Sequence, residues 1–184
     1  MVIVIASDIH GSALWTRRLL DACEAEQASQ LLLLGDLLYH GPRNPLPDGY
    51  DPKVVVELLN AQAERIIAIR GNCDSEVDSM VLRFPLAESA WIVVDGHRFY
   101  CSHGHRYHDG NPPPMASGDT LLFGHTHIHL LQERDGVYFM NPGSVSLPKQ
   151  DRAHTYMVYG GHECRIKDFN GVVLDSISFP NRTE

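Results

Sequence analysis

Three short, almost uninterrupted apolar runs at residues 2 to 7, 31 to 35 and 65 to 70 alternate with stretches of helical character at about 12 to 28 and 52 to 64. Runs of β-branched residues and leucine without polar alternation belong in strands buried on both faces, which means parallel strands with crossover helices covering them. In the first helical stretch Leu14, Leu19, Leu20 and Cys23 recur at helical intervals, and Arg17, Arg18 and Glu24 fall on the other side. The first half therefore predicts β-α-β-α-β around a parallel sheet.

The second half changes period. Shorter runs at 90 to 95, 98 to 102, 119 to 123, 128 to 133, 137 to 140, 154 to 159, 163 to 168 and 172 to 179 are punctuated by Asp95-Gly96, Asp135-Gly136, Gly160-Gly161 and Asn170-Gly171. Such pairs are hairpin signals, so a second, mostly antiparallel sheet is expected. At 184 residues and 43% apolar composition the chain suits one domain over residues 1–184. The fold class expected is α/β: a four-layer α/β/β/α sandwich of two mixed sheets flanked by helices. The segment from His40 to Pro52 carries four prolines and reads as a long loop leaving a strand end.

Charge and cysteine usage exclude several classes. Fifteen Lys and Arg against 23 Asp and Glu give a net charge of -8, which argues against long duplex nucleic acid as a partner. Cys23, Cys73, Cys101 and Cys164 have neither C-x-x-C spacing nor the density of a disulfide scaffold, so reduced thiols are expected. No basic-then-apolar leader opens the chain, and no apolar run approaches the roughly 20 residues that cross a bilayer. A cytoplasmic protein with no membrane partner is the expectation.

Every apolar strand of the first half ends in a polar cluster: Ser7-Asp8-Ile9-His10-Gly11, Gly35-Asp36, and Arg70-Gly71-Asn72-Cys73-Asp74. Carboxyl ends of parallel strands are where open α/β sheets form ligand crevices, so residues as far apart as Asp8 and Asn72 are expected to converge. Two strands of the second half lead likewise into His103-Gly104-His105 and Gly124-His125-Thr126-His127. Asp8 and His10 are two apart, as are His125 and His127, and in extended backbone that spacing projects both side chains to one face. A single D-x-H is as easily a hydrogen-bonded surface pair, but five clusters each closing an apolar strand are not. Carboxylate, imidazole and amide oxygen without a thiolate cage suit Mn, Fe or Zn better than Ca.

The ordered set D-x-H, G-D, G-N-x-D, H-G-H and G-H-T-H resembles the calcineurin-like metallophosphoesterase superfamily, over residues 2 to 144. The size, G-N-C-D and Asn141-Pro142-Gly143-Ser144 are similar to its small bacterial and archaeal phosphodiesterases. The resemblance implies two divalent ions per chain, manganese first with iron, zinc, nickel or cobalt as alternatives. It gives one ion to Asp8, His10, Asp36 and His127 and the other to Asp36, Asn72, His103 and His125, with Asp36 bridging. It implies hydrolysis of a small phosphodiester by in-line attack of a metal-bridging hydroxide, and a homo-oligomeric assembly. Two ions about 3.5–4 Å apart need an anionic bridge to offset their repulsion, which a shared Asp36 supplies.

One departure bears on mechanism. Where many members carry G-N-H-[DE], with a histidine that assists the departing alkoxide, this chain has Cys73, followed by Asp74. A thiol with an ordinary pKa near 8.5 is a poor general acid, which leaves water or His105 and predicts a preference for good leaving groups. Arg43 and Asn44, in the proline-rich loop after Asp36, are candidates to contact the substrate phosphate, against the alternative of a plain solvated loop. His129, His40, His97, His108, His154 and His162 match no ligand position and are expected at the surface or in support. Asn141 to Ser144 reads first as a tight turn and second as support for the metal edge. The rivals are a phosphomonoesterase or nucleotide hydrolase of the same superfamily, and a non-catalytic scaffold resembling the retromer subunit of this fold, which would require missing ligands.

Overall fold

The structure is a computed structural model that describes residues 1–180 of the 184. The first half builds β1 (Ile3–Ala6), α1 (Ala13–Ala25), β2 (Gln30–Leu33), α2 (Pro52–Asn60) and β3 (Ile66–Ile69), then the short helix α3 (Glu76–Val81) and the two-residue strand β4 (Leu86–Ala87). Ser12 caps α1 by accepting from the Trp15 amide, and Asp51 caps α2 by accepting from Val54 ahead of Pro52 at the first helical position. β1 to β4 pair in parallel, as their unbroken apolar character requires. Alternate residues divide between two cores. Val4, Ala6, Leu31 and Leu33 face the helices, where Leu19, Cys23, Val55 and Leu59 pack on them, while Ile3, Ile5, Leu32 and Leu34 face the second sheet. Leu14, assigned to the buried stripe of the first helix, is 44% exposed, and that face is completed by Ala13, Thr16 and Ala22.

The second half supplies β5 (Ala90–Val94), β6 (His97–Cys101), β7 (Thr120–Leu122), β8 (Leu130–Arg134), β9 (Val137–Asn141), β10 (Thr155–Gly160), β11 (Glu163–Asp168) and β12 (Val173–Ser178). Two mixed sheets result, ordered β12-β11-β10-β1-β2-β3-β4 and β5-β6-β7-β9-β8. The expectation that the second half makes its own, mostly antiparallel sheet is corrected: β10, β11 and β12 extend the first sheet, and β6, β7 and β9 are parallel at the centre of the second. Hairpin signals report local antiparallel pairs and say nothing of which sheet a hairpin joins. Asp95-Gly96 and Asp135-Gly136 do form turns with positive φ at both positions, whereas the β10–β11 turn falls one residue late, on Gly161 and His162. Helices cover the outer face of the first sheet; over Leu121, Phe123 and Phe139 on the outer face of the second lie Tyr100, Met115, Leu130 and Val137, with no helix beyond Val81 among the described residues. His97 is buried, its ring 4.5 Å from that of Phe179, and not at the surface. All four cysteines are free, and no described helix is long and apolar enough to cross a membrane.

Candidate metal centre

The loops that follow β1, β2, β3, β6 and β7 meet at one edge, and a small set of glycines lets them touch. A Cβ on Gly71 would stand 2.1 Å from Asp36 Oδ1, one on Gly35 2.5 Å from the Gly71 amide, and one on Gly124 1.9 Å from Ser7 Oγ. Asp8, His10, Asp36, His125 and His127 all have φ between 48° and 66°. The extended backbone expected for D-x-H and H-x-H is therefore corrected: each of these side chains is aimed by a left-handed residue, and convergence comes from the turns.

Three buried histidines share one arrangement. The Nδ1 of His10 donates to Tyr39 O at 2.8 Å, that of His103 to Leu34 O at 2.7 Å and that of His127 to Leu147 O at 2.5 Å. A carbonyl only accepts, so Nδ1 holds the proton and Nε2 presents a lone pair when the ring is neutral. Those Nε2 atoms point inward: His10 to His127 at 3.2 Å, His127 to Asp8 Oδ1 at 3.3 Å, His103 to Asp36 Oδ2 at 3.4 Å, and His10 to Asp8 Oδ1 and Asp36 Oδ2 at 3.7 Å each. Asp8 Oδ1 is buried without a hydrogen-bond partner. Convergent lone pairs and an orphaned carboxylate oxygen repel one another unless a cation sits among them. The residues present thus fit divalent metal, in the groupings Asp8–His10–His127, Asp8–Asp36–His103 and His10–Asp36–Cys73. Asn72 Oδ1 lies 3.0 Å from His103 Nε2. His125 is half-buried at the rim, its ring 5.1 Å from that of His103, and belongs to none of the three groupings.

Without metal the site recruits protons. Burial opposes a charge on His103, but the hydrogen bond to Asp36 and the charges of Asp8 and Asp36 outweigh it and hold its pKa up at about 9. His10 is raised in the same way by Asp8. Burial works to raise Asp8 and Asp36 as well, yet the facing imidazoles bring both below the usual carboxylate range. His125 moves the other way, down to about 4, through burial and the charge on His103, so its ring is a free lone-pair donor at neutral pH.

Of the other expected site residues, Asp74 is buried and accepts the backbone amides of Asp36, Leu37 and Gly71 at 2.9, 2.8 and 2.7 Å, which ties the Asp36 loop to the G-N-C-D loop. Cys73 gives its amide to Asp36 Oδ1 at 2.8 Å, and burial together with Asp36 pushes its thiol up to about 12. His105 is exposed, its ring 5.6 Å from that of His103, and burial and His103 together lower its pKa. Arg43 and Asn44 line an open cleft of about 770 Å³ that also takes in Asp36, Asn72, His125 and His127, with Tyr39, Thr126 and Lys149. Asn141 Nδ2 donates to Gly124 O at 2.8 Å and Thr126 Oγ1 at 3.1 Å, while Ser144 and Ser146 hydroxyls donate to Asp8 O at 3.0 and 3.1 Å. Asn141-Pro142-Gly143-Ser144 thus pins both D-x-H and G-H-T-H. Sequence reasoning missed Lys149, Ser146 and the three carbonyl partners of the histidines; backbone acceptors leave no trace in residue type.

Residues 1–162 match the profile of the calcineurin-like phosphoesterase superfamily domain. The chain belongs to this superfamily. It is 44% identical over 158 residues to phosphodiesterase YfcE of Escherichia coli strain K12, covering 85% of each chain. The solved structure of E. coli YfcE, a phosphoesterase, superposes with a TM-score of 0.95 at 39% identity, over 98% of this chain and 100% of that one. Zinc-complexed wild-type Vps29 from Entamoeba histolytica covers 98% of this chain and 100% of its own with a TM-score of 0.61 at 20% identity, a likeness of fold alone.

Proposed function

We propose that the chain is a metal-dependent phosphodiesterase acting on small phosphodiesters. The observation that carries the reading is the convergence of three buried imidazole Nε2 atoms on Asp8 and Asp36, with Asp8 Oδ1 lacking a hydrogen-bond partner. Its 44% identity to a phosphodiesterase over 85% of both chains supports the same reaction class. In this reading Asp8, His10, Asp36 and His127 hold one divalent ion and Asp36, Asn72, His103 and His125 the other. Manganese suits a set in which carboxylate and amide oxygens stand beside imidazole nitrogens. Such a pair of ions supplies an acidified water and positive charge for the phosphoryl oxygens.

The chain's own residues do the rest. Asp36 is fixed at both ends, by its amide on Asp74 and its Oδ1 on the Cys73 amide, so a shared ligand is held still. Arg43 and Asn44 flank the incoming ester, and Cys73, its thiol pushed up to about 12, is a poor proton donor to the leaving group at neutral pH. Aryl diesters are therefore hydrolysed in preference to alkyl diesters. The test is metal-reconstituted protein on a panel of mono- and diesters beside Asp36→Asn and His127→Ala. Diester hydrolysis abolished in both variants is expected. Hydrolysis that survives both substitutions refutes the metal site, and metal binding with no ester turned over favours a scaffold.

A further inference from the structure

Most basic side chains among the described residues are engaged. Arg65 pairs with Glu24, Arg70 with Glu76 and Glu88, Arg98 with Asp119 and Lys167 with Glu26. Among the described residues, only Arg43, Lys53, Arg83 and Lys149 have side chains without a salt bridge, hydrogen bond or ring contact. Arg43 and Lys149 both line the cleft over the metal ligands, whose lining contains a single acidic residue, Asp36 at its floor. In a chain with 23 acidic residues and 15 Lys and Arg, walls that carry two free cations and no carboxylate are set for an anion.

The two cations reach the cleft from different loops. Lys149 is anchored by its amide on His127 O at 3.2 Å, in the loop whose Leu147 carbonyl fixes the His127 ring. Arg43 stands in the proline-rich loop, where Gly41 packs against Cys73 Sγ and Asn44 Nδ2 donates to His40 O at 2.8 Å. The ions and Arg43 already account for the charge of one diester phosphate. We propose that Lys149 binds a second anionic group on the substrate, so that the enzyme selects diesters bearing a further phosphate. This rests on the phosphodiesterase reading and narrows its substrate class.

The test compares two chromogenic esters that differ by one phosphate: the 5′-(p-nitrophenyl) ester of thymidine 5′-phosphate and that of thymidine 3′,5′-diphosphate. For the manganese-loaded protein kcat/KM is expected to favour the second about ten-fold, through KM. Lys149→Ala brings the ratio near one, Lys149→Arg keeps most of it, and Arg83→Ala, a free cation away from the cleft, leaves it as in the parent. Calorimetric binding of thymidine 3′,5′-diphosphate against thymidine 5′-phosphate reads the same preference without turnover. Equal kcat/KM for both esters in the parent, or a preference that Lys149→Ala retains, overturns the inference while phosphodiesterase activity stands. If neither ester is cleaved, the phosphodiesterase reading fails, and equal calorimetric affinities then remove the second-anion subsite too.

Discussion

Metal-stripped protein is expected to lose stability as the pH rises from 6.5 to 8.5, largely below the range where the buried thiols titrate in the unfolded chain, and His103 sets the size of the loss. Its ring is fully buried, with Nδ1 on Leu34 O and Nε2 facing Asp36 and Asn72. Burial disfavours the imidazolium, but the two aspartates outweigh it and place the folded pKa near 9 against an ordinary 6.5. A folded value above the unfolded one means that the native state binds the proton more tightly. That stability is complete below pH 6.5 and drains away as the pH climbs through about 9. At about 1.4 kcal/mol per unit of pKa the gap is worth on the order of 3 kcal/mol, a large part of the roughly 5–15 kcal/mol that holds a domain together. Urea unfolding of chelated protein, followed by the fluorescence of Trp15 and Trp91, measures it at the two pH values. Asp36→Asn removes the carboxylate nearest the ring and cuts the drop by half or more, and manganese flattens it because bound ions displace the protons. Equal stability of chelated protein at pH 6.5 and 8.5, or an undiminished drop in Asp36→Asn, refutes the account.

Asp74→Ala leaves the amides of Asp36, Leu37 and Gly71 without their acceptor and is expected to cost about 3–5 kcal/mol in urea unfolding, with weaker metal binding by titration calorimetry. Cys73→His restores the residue that many superfamily members carry and is expected to raise kcat on an alkyl diester about ten- to a hundred-fold while an aryl diester gains little. Arg43→Ala raises KM for a diester roughly three- to ten-fold with kcat little changed; unchanged kinetics would make it a solvated loop residue.

The parallel half was legible because its chemistry is local. Residues 2 to 7, 31 to 35 and 65 to 70 are too apolar for any strand with a wet face; β1 and β3 lie inside those bounds, and β2 starts one residue earlier, at Gln30. The destination of β10 to β12 was not legible, since β10 pairs with β1 across some 150 positions and its unbroken buried run fits the centre of either sheet. The short α3 and β4 were missed, too brief for either period to register. At the site, residue identity named the ligand types and strand ends gave their meeting place. What holds them was hidden, because Tyr39, Leu34 and Leu147 serve through carbonyls that every residue has.

The left-handed residues at the site explain why so much of the surrounding structure is hydrogen-bonded to loop backbone. A non-glycine residue at φ near 60° costs on the order of 1–3 kcal/mol, and Asp8, His10, Asp36, His125 and His127 all sit there. Asp and His tolerate this region better than most residues, so the metal chemistry and the backbone ask for the same side chains. The strain still has to be held. Asp74 secures the Asp36 turn, Ser144 and Ser146 secure the Asp8 carbonyl, and Asn141 secures Gly124 beside His125. The Asp8 carboxylate closes the ring by accepting the His125 amide at 3.1 Å, so each arm of the site is fastened to the other through backbone. The D of G-N-C-D and the N-P-G-S segment are, on this account, the fastenings of a strained set of turns. Their substitution is expected to loosen metal binding in titration calorimetry while every proposed ligand stays in place.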